Sequence, residues 1–380
     1  MGLAWVEVAV AVTEARSEIR SFGGLVMAAV ALPGVMPTLA HAELAPEAAT
    51  VSLKSLSYRE SQPGLDRVSV DALAANVVVP IGHQWSLDWT GVRDLVSGAT
   101  PRKHTVVSSA SHMSDQRFEN GVKVTRYFER AAVGVNVSNS HEHDYTSNAW
   151  AIDGRLASDD QNTTFNAGFG RSNDDIHAYT MSKAETKTSN DVMIGVTQAW
   201  SSLDLVQLNL THKSASGFMT DPYKTADQRP DSRTASVVLA RWNHHYLRRG
   251  TTVRSTYRYY NDSYGVSAHT VEAEYVMPMS QRLTLTPSGR YYAQRAASFY
   301  FDPNTGNPTG TYFSADQRLS AYGAVTIGVK ADWTINRAWG VNAKYERYEQ
   351  RSDWRITGKG SPGLDAFSAT FLQLGLNYRF

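Results

Sequence analysis

The chain has 380 residues, room for one large domain or two ordinary ones, and carries 19% charged residues with a net charge of +1. That balance leaves no basic surplus to hold nucleic acid. Cysteine is absent, which excludes disulfides, thiolate metal sites and thiol catalysis.

Residues 23–32 (GGLVMAAVAL) form an apolar run of signal-peptide length, too short to span a bilayer as a helix. Pro33 and Pro37 break the run, and Ala40-His41-Ala42 supplies a small-x-small cleavage site. Arg16 and Arg20 provide the positive region, while Glu7 and Glu14 are foreign to it and place the working start downstream of Met1. Residues 1–42 are therefore expected to be a signal peptide for Sec-type export with cleavage near Ala42, and residues 43–380 a single mature domain. Removing 1–42 leaves 35 basic and 33 acidic residues, a net charge of +2.

After Glu43 no stretch reaches the roughly eighteen apolar residues of a membrane helix. From Thr50 onward the period is two. The clearest segment is 318–333. There Leu319, Ala321, Gly323, Val325, Ile327, Val329, Ala331 and Trp333 share one face, and Arg318, Ser320, Tyr322, Thr326, Lys330 and Asp332 share the other. Soluble strands are usually about 5–6 residues long, whereas a tilted membrane strand with protruding ends is longer. The alternation predicts strands at 50–60, 67–79, 84–96, 114–127, 131–141, 145–158, 162–174, 190–200, 203–214, 233–246, 251–262, 266–279, 282–297, 317–333, 338–352 and 367–380. This is an all-β chain, read as a transmembrane antiparallel up-and-down barrel of about sixteen strands, with fourteen as the alternative count. An even number leaves both termini on the periplasmic side.

Connection lengths alternate. Short turns fall at 80–83, 128–130, 158–161, 201–202, 248–250, 280–281 and 336–337. Longer polar links fall at 97–113, 175–189, 215–232, 298–316 and 353–366, with shorter ones at 61–66, 142–144 and 263–265 on the same side. Short turns belong to the periplasm and long loops to the exterior. Tyr 19, Phe 12 and Trp 9 make 11% aromatics, clustered at strand ends as an interfacial girdle requires.

The chain ends FLQLGLNYRF. Leu372, Leu374, Leu376, Tyr378 and Phe380 share a face, and Gln373, Gly375, Asn377 and Arg379 share the other. This pattern resembles the C-terminal signal read by the outer-membrane assembly machinery, which makes that machinery and outer-membrane lipid the expected partners.

By the same parity Arg241, Asn243, His245, Arg254, Arg258, Glu272, Glu274, Arg290, Arg318, Lys330, Lys344 and Glu346 should line the lumen. Interleaved charges of both signs predict cross-strand ion pairs along a wet wall, or a constriction that sorts solutes by charge. A barrel of sixteen strands is wide enough for an aqueous channel unless 97–113, 215–232 or 298–316 folds in.

Other constellations read as ordinary structure. His141-Glu142-His143-Asp144 is expected as a solvated loop rather than a metal site, because strand geometry separates the two His from Glu142. His244 and His245 should point to opposite faces. Asp159-Asp160 and Asp174-Asp175 lack the spaced ligand series of a calcium loop and read as turn formers. Ser267 and His269 share a face with no acid beside them, and no nucleophile motif, phosphate loop or nucleotide fingerprint is present. The expectation is a protein without enzymatic activity, cofactor or metal.

Several runs resemble a family of proteobacterial outer-membrane barrels grouped as a domain of unknown function. They are 58–70 (YRESQPGLDRVSV), 123–130 (KVTRYFER), 221–224 (DPYK), 229–233 (RPDSR), 241–246 (RWNHHY), 257–275 (YRYYNDSYGVSAHTVEAEY), 290–303 (RYYAQRAASFYFDP), 314–324 (SADQRLSAYGA), 351–355 (RSDWR) and 361–364 (SPGL). The resemblance covers residues 50–380 and implies a barrel, with no catalytic residue to carry over. It also implies neighbouring genes for a small lipoprotein, a thioredoxin-like protein and a flavin-transferring enzyme. Two expectations follow: a porin-like pore for small solutes, or a non-conducting scaffold or export partner of a periplasmic redox or envelope-maturation pathway.

Overall fold

The alternation of β-branched and aromatic residues with polar ones builds strands that bury one face and expose the other. In the computed structural model, which describes residues 44–62, 67–98, 113–224, 226–303, 306–356 and 358–380, this produces a closed antiparallel barrel of sixteen strands. In chain order they are β1 (Thr50–Ser61), β2 (Ser69–Ile81), β3 (Trp85–Gly98), β4 (Met113–Tyr127), β5 (Ala131–His141), β6 (Tyr145–Ala157), β7 (Thr163–Ile176), β8 (Glu185–Ala199) and β9 (Asp204–Gly217). A two-residue strand β10 (Asp227–Gln228) precedes β11 (Ser232–Tyr246), β12 (Thr251–Asp262), β13 (Ser267–Pro278) and β14 (Leu283–Gln294). A second short strand, β15 (Phe313–Ser314), precedes β16 (Tyr322–Thr334), β17 (Trp339–Arg351) and β18 (Phe367–Arg379).

Closure is made by β1 and β18, which pair from Thr50↔Arg379 to Ser61↔Ser368. The Phe380 amide adds a bond to the Ala49 carbonyl at 3.1 Å. A closed ladder leaves no strand edge unpaired, which is the condition for putting backbone into a bilayer. Ile327 is 66% exposed and Leu374 is 52% exposed, although both are large and apolar, and they sit on the outer face. The outward parity of every barrel strand follows from these positions through the register. Pro287 lies inside β14 on that outer face, and the β13–β14 ladder skips it because proline has no N–H to donate.

Connections alternate as expected, and both chain ends of the barrel lie with the short turns. At this turn end Gly82 takes a φ of +63°, a conformation that favours glycine, between β2 and β3. The opposite, loop end carries the links 218–231, 295–321 and 352–366. The link between β3 and β4, expected at 97–113, falls at 99–112 outside the described residues, as does the expected signal segment 1–42.

Three strand expectations are corrected. Strand β8 begins at Glu185, not 190, because Lys187 and Ser189 continue the inward parity opposite Asp174 and Ser172. Asp174 and Asp175 are thus strand residues of β7 and not turn formers. Strand β16 begins at Tyr322, not 317. The preceding Gln317–Leu319 forms a 3-10 turn capped by Asp316, whose side chain accepts from the Arg318 amide. Leu319 is buried there against Tyr264, Val266 and Ala297, so Arg318 leaves the strand and the lumen wall.

Candidate functional site

The inward parity places Arg241, Asn243 and His245 of β11 toward the lumen, since Trp242 between them is 44% exposed on the outer face. Arg241 donates to Gln207 at 3.4 Å, and His245 meets the Thr252 hydroxyl at 3.0 Å. His244 points the other way and holds Asp204 at 2.7 Å. On the next strands Arg254 pairs with Glu274 at 3.5 Å and Arg290 with Glu272 at 3.0 Å. The Arg258 guanidinium lies 5.7 Å from the centre of the Tyr260 ring. Lys330 sits 2.7 Å from Asp332, and Lys344 sits 3.0 Å from Glu346. Of the inward residues expected from sequence, Arg318 alone is displaced, into the loop end.

Sequence reasoning overlooked the other half of the wall. Strands β3 to β9 carry a ladder of matched pairs facing the lumen. Asp94 and Arg117, Asp174 and Lys187, and Asp191 and Lys213 are direct cross-strand partners. The Lys187–Asp174 pair is 3.0 Å long with side chains 0% and 1% exposed, and Lys213–Asp191 spans 2.6 Å. Lys123 reaches Asp153 at 2.6 Å by bridging over β5. Gly134 makes that possible, because a Cβ there would lie 2.5 Å from Lys123 Cε and 2.9 Å from Asp153 Oδ1. Opposite charges at paired parity positions were the available signal.

Tyr292 and Tyr322 were legible as inward residues, but the aromatic surface they belong to was not. Leu56, Tyr58, Val70, Ala268, Tyr292, Tyr322, Ala324, Tyr348, Phe367, Ala369 and Phe371 belong to one buried cluster toward the loop end. The Tyr58 and Phe371 rings are 4.7 Å apart, and Tyr58 is 0% exposed. The sign was a large aromatic on the polar parity, as with Phe371 in step with Gln373.

The links at the loop end are tied together. Strands β10 and β15 pair, joining 218–231 to 295–321. Arg229 donates to Asp316 at 2.9 Å and to Asp227 at 3.1 Å, while Arg318 donates to Asp316 at 2.8 Å and to Asp221 at 3.2 Å. Asp316 is fully buried. Burial alone would raise its carboxyl, but Arg318, Lys224 and Arg229 outweigh it and hold it well below the usual range. Asp221 is lowered by the same contest of burial against Lys224, Arg318 and Arg229, whereas at Asp227 burial wins over Arg229 and the carboxyl is raised. Further contacts extend the series around the rim. The Tyr223 hydroxyl donates to Asp144, Tyr264 donates to the Pro230 carbonyl at 3.0 Å, and the Ser361 amide donates to the Ala321 carbonyl at 2.8 Å. His141 and His143 are exposed as a solvated loop requires, but Glu142 and Asp144 are buried and join this rim. Asp160 does serve as a turn former, accepting from Ser158 and the Asn162 amide.

A family model described as "Protein of unknown function (DUF3570)" matches residues 23–113 and 104–371. A search of the curated proteins found no match. Among solved structures, a bacterial polysaccharide outer membrane secretin is similar at a TM-score of 0.53 and 10% identity, over 88% of this chain and 98% of that one. CdiB from Acinetobacter baumannii is similar at 0.51 and 7% identity, over 88% of this chain and 60% of that one. At such identities the likeness concerns the fold alone, that of an outer-membrane barrel.

Proposed function

The chain belongs to this DUF3570 family, and for it we propose a loop-gated conduit for small solutes across the outer membrane of a Gram-negative bacterium. One observation carries the reading. A lumen lined by charges of both signs lies beneath a mouth whose links are joined by the buried Arg229–Asp316 pair. A wall of ion pairs suits passage of hydrated solutes. A mouth closed by such pairs suits control of passage, because a bistable element can be opened by a differential interaction. Delivery is proposed to follow export with cleavage near Ala42, and insertion to use Leu372, Leu374, Leu376, Tyr378 and Phe380 as the assembly signal. No catalytic step or cofactor is part of the proposal.

Purified protein in a planar bilayer should conduct in brief, small events. Removing the tie with Arg229→Ala and Arg318→Ala together should lengthen and enlarge them. Silence from both proteins, with the barrel shown folded by its heat-dependent electrophoretic shift, overturns the conduit. A second reading then stands, that of a non-conducting scaffold for a periplasmic partner. The aromatic cluster around Tyr58 favours it, since a packed apolar surface inside a barrel resists wetting.

A further inference from the structure

The two sides of the lumen treat charge differently, and one place breaks the matching rule. Lys330 of β16 and Lys344 of β17 are direct cross-strand partners. Like charges directly opposite one another on paired strands are destabilising. Each lysine has its acid on its own strand, two residues on, at Asp332 and Glu346. Neither acid stands between the two ammonium groups in the register.

A third lysine joins them. Lys54 of β1 is opposite Gly375 of β18, which is opposite Asn342 of β17. Lys54, Lys330 and Lys344 line a single recess with Asn342, Gln373, Leu56 and Ala74. The recess is small, with about 20 Å³ in which a water-sized molecule can be centred. Two features shape it for a ligand. Gly375 lets Asn342 fold over the wall, since a Cβ there would lie 2.5 Å from Asn342 Oδ1. The Gln373 side-chain amide nitrogen is buried without a hydrogen-bond acceptor. An orphaned donor in a cation-rich recess is an arrangement that an acceptor-rich anion satisfies.

We propose that Lys54, Lys330 and Lys344, with the Gln373 and Asn342 amides, form a binding site on the lumen wall for a small doubly charged oxyanion of the phosphate type. An oxyanion seated between Lys330 and Lys344 converts their repulsion into two charge-assisted hydrogen bonds. It also takes the bond that Gln373 lacks. As a station within the conduit the site rests on the function proposed above; as a binding site it does not.

The test is therefore made by equilibrium binding in detergent micelles. Inorganic phosphate is titrated into the full-length protein by calorimetry, with chloride at matched ionic strength as the reference. Saturable binding is expected. The Lys330→Gln and Lys344→Gln double variant should weaken it at least about tenfold, since hydrogen bonds to charged groups are each worth roughly that or more. The Lys330→Arg and Lys344→Arg double variant keeps the charge and should retain binding, which separates a loss of charge from a loss of fold. Phosphate that binds no better than chloride, or binds the Gln variant as well as the wild type, overturns the site. A silent bilayer with phosphate binding intact removes the conduit and leaves the site. Conductance without phosphate binding does the reverse.

Discussion

Strands β3 to β9 and strands β12 to β2 line the same lumen by the same parity and solve it differently. The first wall neutralises itself across the ladder, where Asp174 meets Lys187 and Asp191 meets Lys213 in register. The second is aromatic toward the loop end, around Tyr58, Tyr348 and Phe371, and sets Lys330 against Lys344 lower down. Inward polarity in a barrel is thus no single property. One wall holds its charges for structure, and the other packs an apolar cluster and sets two lysines opposite one another beside it.

The sharpest way to break this contrast is at Lys187, the most buried cation of the matched wall. Lys187→Ala leaves Asp174 charged and buried without its partner and should cost about 3–5 kcal/mol in denaturant unfolding from lipid vesicles. Replacing both residues by Met and Leu should be neutral or stabilising. If the single and double variants lose the same stability, the pair does not hold that wall. On the other wall Tyr58→Ala removes a fully buried ring and should cost about 3 kcal/mol in the same assay, with no rescue by changing Glu60.

The loop end responds to pH in a defined direction. Asp316 and Asp221 are held below the ordinary carboxylate value of 3.8, so their contribution is complete above that value and is lost as pH falls below it. Asp227 is raised, so its protonation begins above 3.8 and relieves a burial penalty. Protease cleavage within 218–231 should stay slow between neutral and mildly acidic pH and rise only under strong acid. Cleavage that rises already in mild acid would mean that Asp316 does not anchor the mouth. The smallest effect is expected at the exposed Lys183–Glu185 pair, where Lys183→Ala should change stability by less than about 0.5 kcal/mol.

Much of this molecule is legible along the chain. The sixteen strands, their alternating connections and the lipid-facing set from Leu372 to Phe380 all follow from a period of two. Where the reading failed, a local pattern competed with a distant partner. The alternation runs through Arg318 without a break, yet Asp316 caps a 3-10 turn there and Arg229, 87 residues from Asp316, joins the cluster. Polar residues 185–189 look like a link, yet Lys187 completes a ladder rung with Asp174.

The amino-acid sequence by itself determined which residues face inward, because successive side chains in a strand point to opposite sides whatever lies next to them. Only the tertiary structure decided which inward residues meet. Partnership across strands depends on register, and register is set by turn length and closure of the whole barrel. Lys187 and Lys344 are therefore alike in sequence, each an inward lysine on an alternating strand. One finds an aspartate across the ladder and the other a second lysine.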